Sequence, residues 1–304
     1  MRILISGGNG FLGNHLNSIL DNKKNKIINF RSKNYDLTSI KETDKLFKKY
    51  HPDIFIHLAG DVGGINKTKN NPAKSFYNNI AMGINTVESS RKYNVKKYIM
   101  IGTICSYPKF SPMPFKEDDY WNGYPEETNA PYGIAKKSIS EQLDAYWKEY
   151  NLNYVNIILT NIYGPGDNFD EKTSHVIPAI IKKLHYAKLR KDPYVEIWGD
   201  GSPTRDFLYV VDAAKAIKKL ISNKFIGIVN VGSEKETSIK NLVNLINSYV
   251  KYDGKIKWNK NMPNGQPRRL VSNKRIKKIC NFKPSVDLKK GIENTVKWYS
   301  KINV

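Results

Sequence analysis

The segment Arg2-Ile-Leu-Ile-Ser6 reads as a buried parallel strand. It runs without a gap into Gly7-Gly-Asn-Gly10-Phe-Leu-Gly13, after which Leu12, Leu16, Ile19 and Leu20 recur at helical spacing. Strand, glycine turn and helix in immediate succession leave few folds open. Glycines let the backbone turn tightly and come close to a pyrophosphate, which sits on the free N–H groups where the helix starts. A Gly-x-x-Gly-x-x-Gly spacing is weak alone. Placed directly after the first strand, it predicts an α/β fold of the Rossmann type, a doubly wound parallel sheet.

Residues 26–30 read as the second strand, whose end decides between cofactors in such folds, because a carboxylate there accepts from the ribose 2′-hydroxyl. Arg31-Ser-Lys33 follows instead. Two cations suit the additional phosphate of NADPH, and an uninvolved solvated pair is the plain alternative. Asp36 comes later, beside the adenine rather than on the ribose, so the expected cofactor is NADP(H). A third strand, 54–58, ends in Ala59-Gly60-Asp61-Val-Gly-Gly-Ile65, a glycine-containing loop at the carboxyl edge where ligands collect. A helical stretch over 72–93 leads to a fourth strand, 97–102, which runs into Thr103-Ile-Cys105 and puts a hydroxyl and a thiol at one strand end.

In Asn129-Ala-Pro-Tyr-Gly-Ile-Ala-Lys136, Pro131 suits the first turn of a helix that carries Tyr132 and Lys136 on one face. A phenol titrates near ~10, and an ammonium one turn away favours the phenolate, which would make Tyr132 a usable acid. Tyr93 and Lys97 share the spacing, so the pair gains meaning only from its surroundings. With 304 residues, 40% of them hydrophobic, the chain can bury a sizeable core in a two-lobed unit or two domains. Cys105 and Cys280 are too few and too far apart for a disulfide framework or a Cys-x-x-Cys metal site, so no metal is expected and a reducing compartment fits. The net charge of +22 raises nucleic-acid binding. The cations are scattered as short pairs, such as Lys48-Lys49 and Lys182-Lys183, and no dedicated nucleic-acid surface is expected. No apolar run approaches the ~18 residues of a membrane span, the first strand shows no basic region or cleavage site before it, and the expected location is the cytoplasm.

Glycine turn, strand-end hydroxyl and Tyr-x-x-x-Lys in that order resemble the extended short-chain dehydrogenases/reductases, and within them the GDP-L-fucose synthase family. The matching stretches are Val62-Gly-Gly-Ile65, Cys105 with Tyr107-Pro-Lys109, Glu127-Thr-Asn-Ala-Pro-Tyr-Gly-Ile-Ala-Lys136, Asn161-Ile-Tyr-Gly-Pro-Gly-Asp-Asn-Phe169, Ser174-His-Val-Ile-Pro-Ala179, Ile197-Trp-Gly199 and Arg205-Asp-Phe-Leu208. The resemblance implies a GDP-4-keto-6-deoxyhexose substrate, epimerised at C3 and C5 and then reduced at C4. The C4 ketone makes the neighbouring protons acidic, so a base, an acid and a donor to the oxygen are needed. Cys105 matches the family's base, His175 returns the proton on the other face, and Tyr132 serves the C4 oxygen while Lys136 also holds the nicotinamide ribose. Thr103 stands where the family usually has serine, Asp61 where it has lysine, and Asn264, in Pro263-Asn-Gly-Gln-Pro267, where an aspartate is common.

The cofactor pocket implied by the resemblance comprises Gly7, Gly10, Phe11, Leu12 and Gly13 in the first turn, then Arg31, Lys33, Asp36 and Leu37. Leu58, Ala59 and Gly60, then Ile101 and Gly102, then Leu159, Asn161, Ile162 and His175 complete it with Tyr132 and Lys136. The implied sugar-nucleotide contacts are Val176, Lys183, Trp198, Arg205, Asn264 and Arg269. Taken singly, a cysteine after a strand is a core residue, a histidine before a helix a cap, and a strand tryptophan core packing. The implied division is a nucleotide-binding domain of residues 1–165 plus 206–235 and a smaller C-terminal α/β substrate lobe of 166–205 plus 236–304, with a homodimer formed through the long helices of the first. A C4 reductase without epimerase activity, or an enzyme of another GDP-deoxysugar such as a deoxyheptose or the colitose precursor, is the alternative within the class. Outside it stand a non-catalytic nucleotide-binding scaffold and a basic nucleic-acid binder.

Overall fold

A computed structural model describes residues 1–20, 23–63, 70–262 and 264–303. Gly64 and Ile65 of the Val62-Gly-Gly-Ile65 match, and Pro263, lie outside the described residues. In the first half β1 (Arg2–Ser6), α1 (Phe11–Ile19), β2 (Lys26–Asn29), α2 (Ile40–Tyr50), β3 (Ile54–His57), α3 (Pro72–Lys92), β4 (Lys97–Thr103), α4 (Ala130–Tyr150) and β5 (Tyr154–Leu159) alternate strand with helix. Five short elements follow: β6 (Asn161–Tyr163), α5 (Val176–Arg190), β7 (Tyr194–Trp198), β8 (Thr204–Tyr209) and α6 (Val210–Ile221). The chain ends in β9 (Gly227–Val231), β10 (Glu236–Ser238), α7 (Ile239–Val250), β11 (Lys255–Asn259), β12 (Arg268–Arg269), α8 (Lys274–Cys280) and α9 (Leu288–Ile302).

The main sheet has the order β2-β1-β3-β4-β5-β9, and every pair in it is parallel. Its inner strands β1, β3, β4 and β5 read as largely apolar runs because both faces are covered, whereas the edge strand β2 is half exposed. In β1, Ile3 and Ile5 point to one face, against Leu12 and Leu16 of α1 and Ala213, Ala214 and Ile217 of α6. Leu4 points to the other, against Leu46 and Phe47 of α2, Val87 of α3 and Leu143 of α4. The expected doubly wound sheet is therefore present.

A second sheet is built around β8, which pairs with β10, β12 and β6, and a third consists of β7 and β11. The smaller core joins Ile177, Ile180 and Leu184 of α5 to Leu242 and Ile246 of α7 and to Val296 and Tyr299 of α9. Side-chain caps set the starts of two of these helices: Ser238 accepts from Asn241 N at 3.1 Å, and Asp287 from Lys290 N at 2.8 Å. Ile276 of α8 and Phe282 pack into the core of the first sheet rather than the second. Among the described residues no helix is long and apolar enough to cross a membrane.

Candidate active site

The carboxyl ends of β3 and β4 and the start of α4 converge. Tyr93 and Lys97 do not share a helix: Tyr93 ends α3, and Lys97 opens β4 with its ammonium donating to Leu220 O at 2.8 Å. Tyr132 and Lys136, in contrast, lie one turn apart on α4, with Pro131 in its first turn. Between them Gly133 lets the helix press onto the turn after β4, because a Cβ there would lie 2.4 Å from the Cys105 carbonyl oxygen. Ser106 Oγ donates to Gly133 O at 2.9 Å and fixes the contact. Gly133→Ala is therefore expected to destabilise the protein by ~1–3 kcal/mol through overpacking. A urea unfolding midpoint equal to the wild type would show that α4 does not need this close approach.

Burial governs the electrostatics of the pair. It pushes the Tyr132 phenol well above its ordinary value, the charge of Cys105 adds to the rise, and a hydrogen bond with Thr103 opposes it. Lys136, 2% exposed, has its ammonium pulled down to about 8 by the same desolvation. The helical spacing suggests that Lys136 would draw the phenol down; instead burial governs it, with Cys105, Thr103 and Tyr120 as the neighbours that act on it. The Lys136 Nζ points toward the loop after β3, 3.8 Å from where a Cβ on Gly60 would stand. Behind it lies His57, wholly buried, whose Nδ1 is 2.8 Å from Ser6 Oγ. Burial first, and Lys136 second, hold that imidazole well below its usual value, so it is neutral.

Cys105 is a free, half-buried thiol at the strand end, and Thr103 Oγ1 accepts from its N–H at 3.2 Å. A terminal guanidinium nitrogen of Arg269 donates to the Cys105 sulfur at 3.3 Å. Arg205, also buried, has its guanidinium lowered to about 10, by burial first and by Arg269 next. Two arginines from the second sheet thus reach the strand end that carries the thiol.

The remaining expected residues fall into three places. Gly7, at φ +67°, turns β1 toward β3, and a Cβ on it would sit 2.8 Å from Ala59 N, a cradle that only bare backbone can form. Ala59 N donates to Ser6 Oγ at 3.3 Å, and His15 ties α1 to Pro165 O at 2.8 Å. Gly10, Phe11, Leu12 and Gly13 continue the turn into α1, while Leu58, Ile101, Gly102, Leu159 and Ile162 lie at or near the carboxyl ends of their strands. Asn161 donates to Asp206 O at 3.0 Å. This backbone cradle, with the ammonium of Lys136 beyond it, fits a dinucleotide.

At the edge of β2, Arg31 and Lys33 are exposed, Asp36 spends its carboxylate on Thr38, and Leu37 is buried with its carbonyl accepting from Asn85 at 2.9 Å. Asn29 was not anticipated: its side-chain amide lies against Gly8 in the glycine turn. Neutralising Arg31 and Lys33 together is expected to weaken NADPH binding by ~10-fold or more per lost phosphate contact, with little change for NADH. Equal losses for the two cofactors, measured by fluorescence titration, would remove both residues from phosphate recognition.

In the smaller lobe Lys183 lies over the Trp198 ring at 5.7 Å and donates to Glu196 O at 3.1 Å. Trp198 is 44% exposed, so it is not core packing. Val176 lies at the helix start, against the smaller core. Asn264 uses its amide oxygen to accept from Asp200 N at 3.0 Å and close a loop. Asp61 accepts from Asn78 at 2.9 Å and is tied to α3. His175 is the residue before α5; it is open to solvent, yet the surrounding protein desolvates its imidazole and lowers it, as in a concave wall. Among the described residues no hydrogen bond or ion pair joins His175 to Cys105 or Tyr132. Glu126 and His57 have no motif to flag them, and Gln266 lies in the Pro263-Asn-Gly-Gln-Pro267 stretch without being singled out by it.

The profile of the NAD dependent epimerase/dehydratase family matches residues 3–232. A GDP-L-fucose synthase of Sinorhizobium fredii is 35% identical over 292 residues, which cover 96% of this chain and 93% of that protein. A GDP-6-OMe-4-keto-L-xylo-heptose reductase from C. jejuni superposes with a TM-score of 0.93 at 25% identity, covering 99% of this chain and 98% of that one. A GDP-L-fucose synthetase from Naegleria fowleri bound to NADP does so at 0.91 and 26% identity, covering 99% and 93%. The chain belongs to the NAD dependent epimerase/dehydratase family, on its GDP-L-fucose synthase branch. It is an enzyme of that branch.

Proposed function

We propose that the protein converts GDP-4-keto-6-deoxy-D-mannose to GDP-L-fucose, epimerising C3 and C5 and then reducing C4, so that one site carries two chemistries. The observation that carries this is the junction of Cys105, Tyr132 and Arg269: the sulfur is hydrogen-bonded by the arginine and close enough to the phenol for its charge to raise it. Cys105 takes the proton from C3 or C5. Tyr132, kept protonated at neutral pH by burial, donates to the C4 oxygen as charge develops there. His175, its imidazole lowered, forms a cation that gives up a proton readily on the opposite face. When bound, NADPH supplies the hydride for C4, and Tyr132 protonates the oxygen.

Gly7, Ala59, Gly60 and Lys136 would hold the dinucleotide, with Arg31 and Lys33 on its additional phosphate. Arg205 and Lys183 bring cations to the diphosphate of the GDP-sugar, and exposed Trp198 offers a ring face. Residues 1–165 with 206–235 form the cofactor domain in this account, and 166–205 with 236–304 the substrate lobe. The enzyme works in the cytoplasm as a homodimer. Tyr77 and Ile84 of α3 and Trp147 and Tyr150 of α4 are large exposed apolar side chains on the two long helices that would pair.

Incubation with GDP-4-keto-6-deoxymannose and NADPH, with the product read by NMR, tests the assignment. GDP-L-fucose is expected. A product reduced at C4 with its original C3 and C5 configuration identifies a reductase, the activity named for the heptose reductase whose fold this chain shares.

A further inference from the structure

Arg269 is one of the implied sugar-nucleotide contacts, yet its guanidinium is already engaged. One terminal nitrogen donates to Cys105 Sγ at 3.3 Å, and Nε donates to Gln266 Oε1 at 2.8 Å. The other terminal nitrogen stands 4.0 Å from Glu126 Oε2. Gln266 is fixed in turn, because its amide nitrogen donates to Lys109 O at 3.0 Å, a few residues beyond the thiol in the chain. Glu126 is occupied by shorter bonds, accepting from Thr128 Oγ1 at 2.7 Å, Asn129 Nδ2 at 3.0 Å and Thr128 N at 3.3 Å. Arg269 is 8% exposed, so water does little to screen it.

We propose that Arg269, braced by Gln266 and Glu126, is the positioning residue for Cys105, aiming its sulfur and holding it as the thiolate that abstracts the sugar proton. The inference rests on the epimerase role given to Cys105 above and adds how that base is made. Among the described residues, the charged and titratable groups at or behind the sulfur come from four places. Arg269 comes from β12, Arg205 from β8, Tyr132 from α4 and Glu126 from the segment before it. Two cations stand against one carboxylate, and that carboxylate accepts three hydrogen bonds of its own and meets Arg269 rather than the sulfur. A guanidinium in hydrogen-bond contact stabilises a thiolate over a thiol. The charge of Cys105 also favours the cationic form of the neighbouring Arg205, against the larger opposing effects of burial and Arg269. In the step itself the C–H bond breaks, the sulfur takes the proton as S–H, and the electron pair moves to the C4 oxygen, to which Tyr132 donates.

The test reads the thiol directly. In a Cys280→Ser background, which leaves Cys105 as the protein's one cysteine, the rate of alkylation by iodoacetamide is followed against pH. Arg269→Gln is expected to move the midpoint up by at least ~1 pH unit, an alkylation about tenfold slower at neutral pH. Arg269→Lys keeps the charge without the fork, and its midpoint is expected between the two; it carries the test should the glutamine variant not fold. Coincident midpoints for wild type and Arg269→Lys or Arg269→Gln overturn the proposal. Solvent exchange at C3 and C5 separates it from the reading beneath it. A midpoint raised by Arg269→Gln in an enzyme that exchanges neither proton supports the arginine–thiolate coupling and removes the epimerase. Coincident midpoints in an enzyme that exchanges both remove the coupling alone.

Discussion

Tyr132→Phe is expected to slow NADPH oxidation by ~10²–10⁴-fold while cofactor affinity stays within a small factor of the wild type. The substitution keeps the ring and its packing at the start of α4 and deletes only the hydroxyl. Burial sets the sign of the argument: the phenol is raised above its ordinary value, so at neutral pH it is a proton donor rather than a phenolate. Its loss leaves the C4 oxygen without a partner when the hydride arrives, and an unprotonated alkoxide in a buried site is costly. In the proposed site, cofactor binding draws on other atoms, the glycine turn and the Lys136 ammonium beside Gly60. A loss of kcat with an unchanged Kd for NADPH is the expected pattern. Wild-type turnover in the variant would take Tyr132 out of the mechanism.

What the chain shows before it folds is what depends on local pattern. The apolar run of β1, the glycine turn and the period of α1 are each set within a few residues, and the parallel sheet follows from their repetition. Ser238 and Asp287 mark helix starts for the same reason, since each cap bonds three residues ahead. The second sheet is less legible. β12 is only Arg268–Arg269 and pairs with β8 more than sixty residues earlier, too short a strand and too distant a pairing for any period to reveal. The site divides in the same way. Tyr132, Lys136 and Cys105 carry motif context, but the arginine on the thiol is 164 residues away in sequence, and Gln266 and Glu126 look like loop residues. Spacing placed Lys136 beside Tyr132 without revealing that both are buried, and burial rather than the neighbouring charge governs each group.

Cys105→Ser is expected to separate the two chemistries. A hydroxyl in the same position is a far poorer base than a thiolate, so exchange of the C3 and C5 protons with deuterated solvent should fall on the order of 10²–10⁴-fold. The arginine donates to the sulfur at 3.3 Å, and a serine hydroxyl in its place would remain a neutral alcohol beside the same cation. Reduction should persist, since Tyr132, Lys136 and the cradle around Gly7 are untouched, and the variant should slowly yield a C4-reduced sugar with its original C3 and C5 configuration. His175→Gln should impair epimerisation more than hydride transfer, with some loss of both because the resemblance also sets that residue against the cofactor. Proton NMR in deuterium oxide, run with and without NADPH, resolves the two steps in one sample. If the wild-type enzyme exchanges neither proton, Cys105 is not a base, the epimerase half of the assignment fails, and the protein is a C4 reductase of a GDP-keto-sugar.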